Sequence, residues 1–410
     1  MNDLELFAPF RGERYADPRS LARRLAPPYD VISPARRAEL AAQDPCNIVH
    51  VDLPEAGPGG DPYAAAAWLL ERWRSDGTLV RDSEPTAYVL RTSGPFPDGS
   101  TRQRTGVFLA VAAEPFARGR VLPHERTHAG PKEDRRRLTH ATGCNLSPVF
   151  LLAPDSSGAL VEAVAETTAR APWASCAALG SQHEVWVAAG LAALRIAEAA
   201  GREPVYVADG HHRFETAVLF RGEAPERWRE GAARTLSHVV SFRDPGLEIL
   251  PTHRLVVGAP VTAEAFRAAA TPYFGAAPRG GEPLVTAVFA GGADVPLVMR
   301  TDADLSVARD LPAHAAVRGL AVALVDAVAV GVVGAALLGR APELRYTPDA
   351  AEAREAARTG NCAFALLLPA TRLEEVRRVA DAGQIMPPKS TFFAPKVPTG
   401  VVLRPLEPPL

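Results

Sequence analysis

The stretch VYVADGHHRFETA, Val205–Ala217, decides how this chain folds. Val205, Tyr206 and Val207 are β-branched or aromatic and suit a buried strand. Asp209 and Gly210 then permit a tight turn, because glycine enters positive φ without steric cost. His211, His212 and Arg213 open a helix whose later residues are good formers. The N-terminus of such a helix presents backbone N–H groups and the positive end of the dipole, so it attracts anions, phosphate above all. An arginine in the first turn is poor for the dipole, and it makes sense where it forks onto a phosphate. The plainer alternative is a surface turn with a hydrogen-bonded histidine.

Outward from this turn, strands alternate with helices. Pro204–Ala208 is the strand that enters it and Phe214–Phe220 the helix that leaves it. A helix over Pro34–Gln43 is expected, with Ser33 as N-cap and Pro34 at its first position. A short strand follows at Asn47–Leu53, then a helix over Tyr63–Asp76 stopped by Gly77. Thr86–Thr92 and Thr105–Ala112 read as a hairpin, Pro148–Ala153 and Leu236–Phe242 as apolar strands. Ser157–Arg170 and Leu191–Gly201 read as helices. Residues 122–145 are polar, rich in His and Arg and weakly periodic, and Pro123–Arg135 within them reads as a loop. From about residue 258 the composition shifts toward Ala, Gly and Val, so residues 1–257 are expected to form a main lobe and 258–384 a second, smaller α/β lobe. Residues 385–410 would form a C-terminal arm. The class is α/β, in mixed α+β form.

The 410 residues are 47% hydrophobic and 22% charged, with a formal net charge of −2. Those values fit a globular protein and speak against a nucleic-acid coat. The N-terminus has no uninterrupted apolar run and does not read as a signal peptide. The four cysteines, Cys46, Cys144, Cys176 and Cys362, are scattered and include no C-x-x-C. A reducing, cytoplasmic setting is therefore expected. Leu320–Leu338 is nearly all apolar and long enough to span a bilayer. Asp326, Gly331 and Gly334 interrupt it, which favours a buried element of a soluble domain. No membrane partner is expected.

Two further clusters could carry chemistry. Leu122–Pro148 contains His124, Glu125 and His128 in the H-E-x-x-H pattern. A zinc protease needs one helix to place both histidines on a face, and Pro123 with Pro131 disfavours that helix. The cluster fits better as an anion or substrate site built from His124, Glu125, Thr127, His128, Lys132 and Arg135, or else a solvated charged loop. Ile385–Gly400 carries Lys389, Ser390, Thr391 and Lys396 among prolines. It lacks the glycines of a P-loop, yet could bring a lysine and hydroxyls to phosphates. Smaller signals are PYDVIS, Pro28–Ser33, and PTHR, Pro251–Arg254.

In order, these strings are PYDVIS, N-x-V-H, PHE-x-T, DR-x-L-x-x-A-T-x-x-N-x-SP, ADGHHR-x-E-T-A, L-x-ILPTHR and MPPKSTFF-x-PK-x-x-TG. Together they resemble the bacterial and archaeal domain-of-unknown-function family DUF1015, from Phe7 to about Leu403. More distantly, the G-H-H-R turn is similar to the signature of the ParB/sulfiredoxin superfold, whose members bind nucleotide phosphates there. Free-serine kinases of that superfold carry a comparable D-G-x-H-R turn, matched here by Gly210, His212 and Arg213. The resemblance implies a ParB/sulfiredoxin-like nucleotide-binding core.

The leading expectation is therefore a phosphotransferase that moves a phosphoryl group from ATP or ADP (or CTP) to a small hydroxyl compound, with free serine the first guess. Gly210, His211, His212 and Arg213 would hold the phosphates, with Lys389, Ser390, Thr391 and Lys396 closing over them. Asp209, Glu125 or His212 would act in catalysis, and Asp209 could also take Mg²⁺. His124, Thr127, His128, Lys132, Arg135 and Arg254 would meet the substrate or an anion. One alternative is a nucleotide-binding switch of ParB type with little turnover, although no DNA-reading module or nucleic-acid partner is evident. Another is a metal-dependent hydrolase built on His124, His128, His211, His212 and His253. The sequence leaves the oligomeric state open, a homodimer being one option.

Overall fold

The computed structural model describes residues 4–56, 60–96, 99–125, 129–277 and 281–407. The chain divides into two compact units: the first comprises residues 1–123, 127–247 and 395–410, the second residues 124–126 and 248–394. Both are mixed α/β.

The first unit is built on a nine-stranded mixed sheet. Its order is Val121–Leu122, Val205–Asp209, Val149–Ala153, Arg234–Ser241, Thr101–Ala112, Thr86–Pro95, Ser181–Ala189 and Ala174–Ala178, with Phe7–Ala8 also paired to Thr101–Ala112. Val205–Asp209 runs parallel to Val121–Leu122, and Val149–Ala153 runs parallel to Arg234–Ser241; the other pairings are antiparallel. The central Val149–Ala153 strand, VFLLA, is buried at every position, as a strand covered on both faces must be. One face of the sheet packs against the helices Ala159–Thr168 and Gly190–Ala200 through Val89, Val107, Leu151, Val207, Leu160 and Ile196. Phe214 joins the same core, so the helix His211–Glu223 is anchored at its first turn.

The second unit has a six-stranded antiparallel sheet in the order Phe274–Ala276, Asp294–Met299, Val285–Val288, Phe364–Leu367, His253–Val257, Glu343–Thr347. Phe266, Phe289 and Phe364 cluster with ring centroids 5.1–6.0 Å apart. The apolar helix Ala321–Leu338 is the one helix among the described residues long and apolar enough to cross a membrane. It carries a π-helical stretch, Val325–Gly334, whose Val325, Val328, Ala329 and Val333 are buried. Its one charge, Asp326, meets Arg254 of the same unit at 2.8 Å. It is a core element of the unit.

Three sequence expectations need correction. Asn47–Leu53 is not a strand: Val49–Asp52 is a short helix. Asn47 is the reason, since its side-chain oxygen accepts from Val49 N at 3.0 Å and its amide donates to Arg23 O at 2.7 Å. Pro123–Arg135 is not a loop throughout, because Ala129–Thr142 is a 14-residue helix. The division of the chain also falls elsewhere than residues 258 and 385. His253–Val257 is a strand of the second sheet, and Phe392–Ala394 pairs with Glu248–Leu250, so both belong to the second unit. Residues 395–410 return to the first unit, where Arg404–Pro405 pairs with Cys144–Asn145.

Candidate functional site

In the first unit the Val205–Asp209 strand slips register between Val207 and Asp209, a bulge that re-aims the end of the strand. Gly210 follows at φ 90°, ψ 30° and is the N-cap of His211–Glu223. A Cβ there would stand 2.9 Å from Arg213 Nε, so conformation and space both require glycine. The cap has no side chain of its own to offer the first-turn amides.

The charges around this turn are arranged by the fold. Lys396 Nζ donates to Asp209 Oδ2 at 2.9 Å. Arg213 Nη2 lies 3.7 Å from Asp209 Oδ1, and Arg213 Nη1 donates to the Pro148 carbonyl. Burial alone would raise the Asp209 pKa, but Lys396 and Arg213 hold it well below the usual carboxylate range. Asp209 is thus held in its ionised form, and Arg213 feels the carboxylates of Asp30 and Asp52 as well as that of Asp209. Arg213 is folded beneath Gly210, where it braces the turn. One turn on, Glu215 pairs with Lys132 at 2.8 Å, and Thr216 Oγ1 donates to His212 O at 2.7 Å.

Behind the turn is a second polar group. Arg135 Nη1 donates to Asp52 O at 2.7 Å and to Asp52 Oδ1 at 3.2 Å. Its Nε donates to Asp134 Oδ2 at 2.7 Å, and its guanidinium lies 4.1 Å from the centroid of the Tyr29 ring. Arg135 is therefore engaged in holding the helix Ala129–Thr142 to Val49–Asp52. Ser147 Oγ donates to Asp52 Oδ1 at 2.8 Å. Asp52, Arg135, Ser147, Arg213 and Thr216 line one cavity.

The second unit gathers the other residues singled out in the sequence. His124 Nε2 is 3.0 Å from Thr391 Oγ1, and Lys389 N donates to Glu125 Oε1 at 3.3 Å. Met386 N donates to His124 O at 2.9 Å. Lys389 sits at φ 56°, a strained position for a lysine. Ser390 is buried and its hydroxyl donates to Pro387 O at 2.6 Å. Arg254 is 1% exposed and grips Asp326 through two bonds of 2.8 and 3.0 Å, with another at 3.3 Å to Lys389 O. Ser390 and Arg254 thus have their polar groups occupied within the unit. Thr127 and His128 lie outside the described residues.

The His-based metal hydrolase finds no assembled donor set: among the described residues no group of three or more His, Cys, Asp or Glu converges to hold a metal. Asp209, the residue expected to take Mg²⁺, is paired with Lys396 and lies 3.7 Å from Arg213. The left-handed glycine, the helix start and the side chains of Lys396 and Arg213 come together at this one turn.

Sequence reasoning missed Asp52, Ser147 and Tyr29. Their signals were present as strings, N-x-V-H just before Asp52, N-x-SP around Ser147 and PYDVIS around Tyr29. A lone aspartate ending a four-residue helix has no periodic signature of its own.

The family model "Protein of unknown function (DUF1015)" matches residues 7–327. No curated protein matches the chain. Among solved structures it is similar to a free serine kinase in complex with ADP, at 14% identity and TM-score 0.37, over 70% of this chain and 87% of that one. It is also similar to a conserved hypothetical protein from Pyrococcus furiosus, at 13% identity and TM-score 0.35, over 72% and 93% of the two chains. SbnI from Staphylococcus aureus, with a C-terminal truncation, matches at 13% identity and TM-score 0.34, over 72% and 81%.

Proposed function

We propose that this chain, which belongs to the DUF1015 family, holds nucleotide phosphates at the Asp209–Arg213 turn and transfers a phosphoryl group to a small hydroxyl compound. The observation that carries this reading is the Gly210 cradle: a left-handed glycine that caps a 13-residue helix, with Lys396 2.9 Å from the aspartate before it. Backbone N–H groups of His211, His212 and Arg213 would meet the phosphate oxygens, and the helix dipole would favour their charge. Lys396, held by an ionised Asp209, would supply a positioned cation. Asp209 is then an anchor for Lys396 and not a base, because its depressed pKa leaves it little affinity for a proton. Phosphoryl transfer asks mainly for positioning and charge neutralisation, and this turn supplies both.

ATP, ADP and CTP are the donors to try, and free serine is the first acceptor, following the D-G-x-H-R resemblance. The unbridged cysteines agree with a cytoplasmic setting. A thermal-shift series with ATP, ADP, CTP and GTP should raise the melting temperature for at least one nucleotide and not for adenosine. ³¹P NMR of protein with that nucleotide and serine should then show a new phosphomonoester. Absence of any phosphate-dependent shift overturns the nucleotide reading; a shift without product from any acceptor overturns the transferase.

A further inference from the structure

Asp52 ends the Val49–Asp52 helix with its side chain sealed from solvent: the residue is 2% exposed. Its two carboxylate oxygens are treated differently. Oδ1 accepts from Ser147 Oγ at 2.8 Å and from Arg135 Nη1 at 3.2 Å. Oδ2 is equally buried and has no hydrogen-bond partner. Both neighbouring arginines are committed elsewhere. Arg135 spends its remaining donors on Asp52 O and Asp134, and Arg213 donates to Pro148 O beside Asp209. A buried carboxylate oxygen without a donor is rare and calls for a partner that the chain itself does not supply. Asp52 lines the same cavity as Arg213, three residues past the Gly210 cradle, together with Ser147 and Thr216. Leu138 and Phe220 supply apolar wall.

We infer that Asp52 Oδ2 receives the hydroxyl of the phosphoryl acceptor, a small molecule seated in this cavity, and serves as the general base; this rests on the phosphate reading of the Gly210 turn. The step balances. The acceptor hydroxyl gives its proton to Asp52 Oδ2 while its oxygen forms a bond to the terminal phosphorus of a nucleoside di- or triphosphate. The bond from that phosphorus to the bridging oxygen breaks, and its electron pair leaves with the shortened nucleotide. Asp52 then returns the proton to water.

Electrostatics separate this carboxylate from Asp209. Burial raises the Asp52 pKa, opposed by the Arg135 charge, the Ser147 hydrogen bond and the Arg213 charge, with Asp30 adding to the rise. Tyr29, on the segment that carries Asp30, also faces this group. A raised carboxylate is the better proton acceptor.

The test compares the full chain with Asp52→Asn, which keeps the Oδ1 acceptor and removes the base. Initial rates are read by ³¹P NMR with ATP or ADP and serine, threonine or glycerol as acceptors. The nucleotide-induced thermal shift is read in parallel. The expected result is a rate about 100-fold lower or less, loss of the acidic limb of the pH–rate profile, and an unchanged nucleotide shift. A variant with the rate and profile of the parent overturns the Asp52 assignment while leaving the phosphate reading intact. A parent chain that shifts with nucleotide but phosphorylates none of the acceptors overturns the assignment as well. No nucleotide shift in the parent overturns the phosphate reading itself. Should Asp52→Asn not fold, Ser147→Ala removes one of the two Oδ1 donors, along with the acceptor of the Thr399 hydroxyl, and leaves the carboxylate in place. It should move the acidic limb to higher pH, and an unmoved limb counts against Asp52.

Discussion

Gly210 is where backbone and chemistry meet. At φ 90° and with Arg213 Nε 2.9 Å from where a Cβ would stand, no other residue fits without strain. Gly210→Ala should therefore cost about 1–3 kcal/mol of stability and abolish the nucleotide-dependent thermal shift, as denaturant and thermal unfolding would report. Asp209 gives a pH dependence whose sign follows from its lowered pKa. Its stabilising contribution is complete above the unfolded value of about 3.9 and is lost as pH falls through the lower folded value. Lys396→Met removes its closest cation, so acid unfolding followed by circular dichroism should shift to higher pH. The residue scale was the most legible in the sequence. The run from Val205 to Ala217 shows its strand, turn and helix directly, because a β-branched run, a glycine and good helix formers each act locally. Asp52 was not legible, since its importance arises from Ser147 and Arg135, each more than 80 positions away.

At the scale of elements, two buried polar groups hold the second unit's strand His253–Val257 in place. Arg254 is nearly inaccessible and its guanidinium pairs with Asp326 of the apolar helix. Asp326→Ala strands that charge and should destabilise by about 3–5 kcal/mol in a urea titration. His253 accepts from Leu368 N at 3.2 Å, and burial with the Arg254 charge pulls its pKa down to about 4. Because the folded pKa lies below the unfolded value near 6.5, the neutral imidazole stabilises above that value. The stabilisation drains away as pH falls from about 6.5 toward 4 and amounts to about 3 kcal/mol. His253→Asn keeps an acceptor and should flatten stability across that window. The elements misread from sequence have physical explanations. Ala129–Thr142 lacks an apolar stripe, and ion pairs bind it instead: Lys132 to Glu215, Arg136 to Glu223 and Arg135 to Asp52. Ile48, Val49 and Val51 imitate a strand, while Asn47's bonds to Arg23, Leu25 and Val49 hold the start of a helix there.

For the molecule as a whole, neither unit is contiguous in the chain. The first unit recovers residues 395–410 after the second is complete. There Val401, Val402, Leu403 and Leu406 are buried, Thr399 pairs with Ala26, and Leu403 pairs with Glu13. A chain ending at Ala394 would lose these contacts together with Lys396. Burying four such side chains is worth about 6–12 kcal/mol, comparable with the whole stability of a domain. Calorimetry of that truncated chain should show the first unit's transition lost or moved far below that of the full chain. Composition could not reveal this arrangement, because pairing between residues near 13 and near 403 leaves no local trace.

The most direct test of phosphate binding at Gly210 is an NMR titration of chain labelled with ¹⁵N-histidine, which reports ten histidines. Millimolar ADP should move the backbone amide signals of His211 and His212 strongly downfield, as hydrogen bonds to phosphate do, and adenosine should leave them in place. Unmoved His211 and His212 signals with ADP, or equal shifts with adenosine, would contradict it.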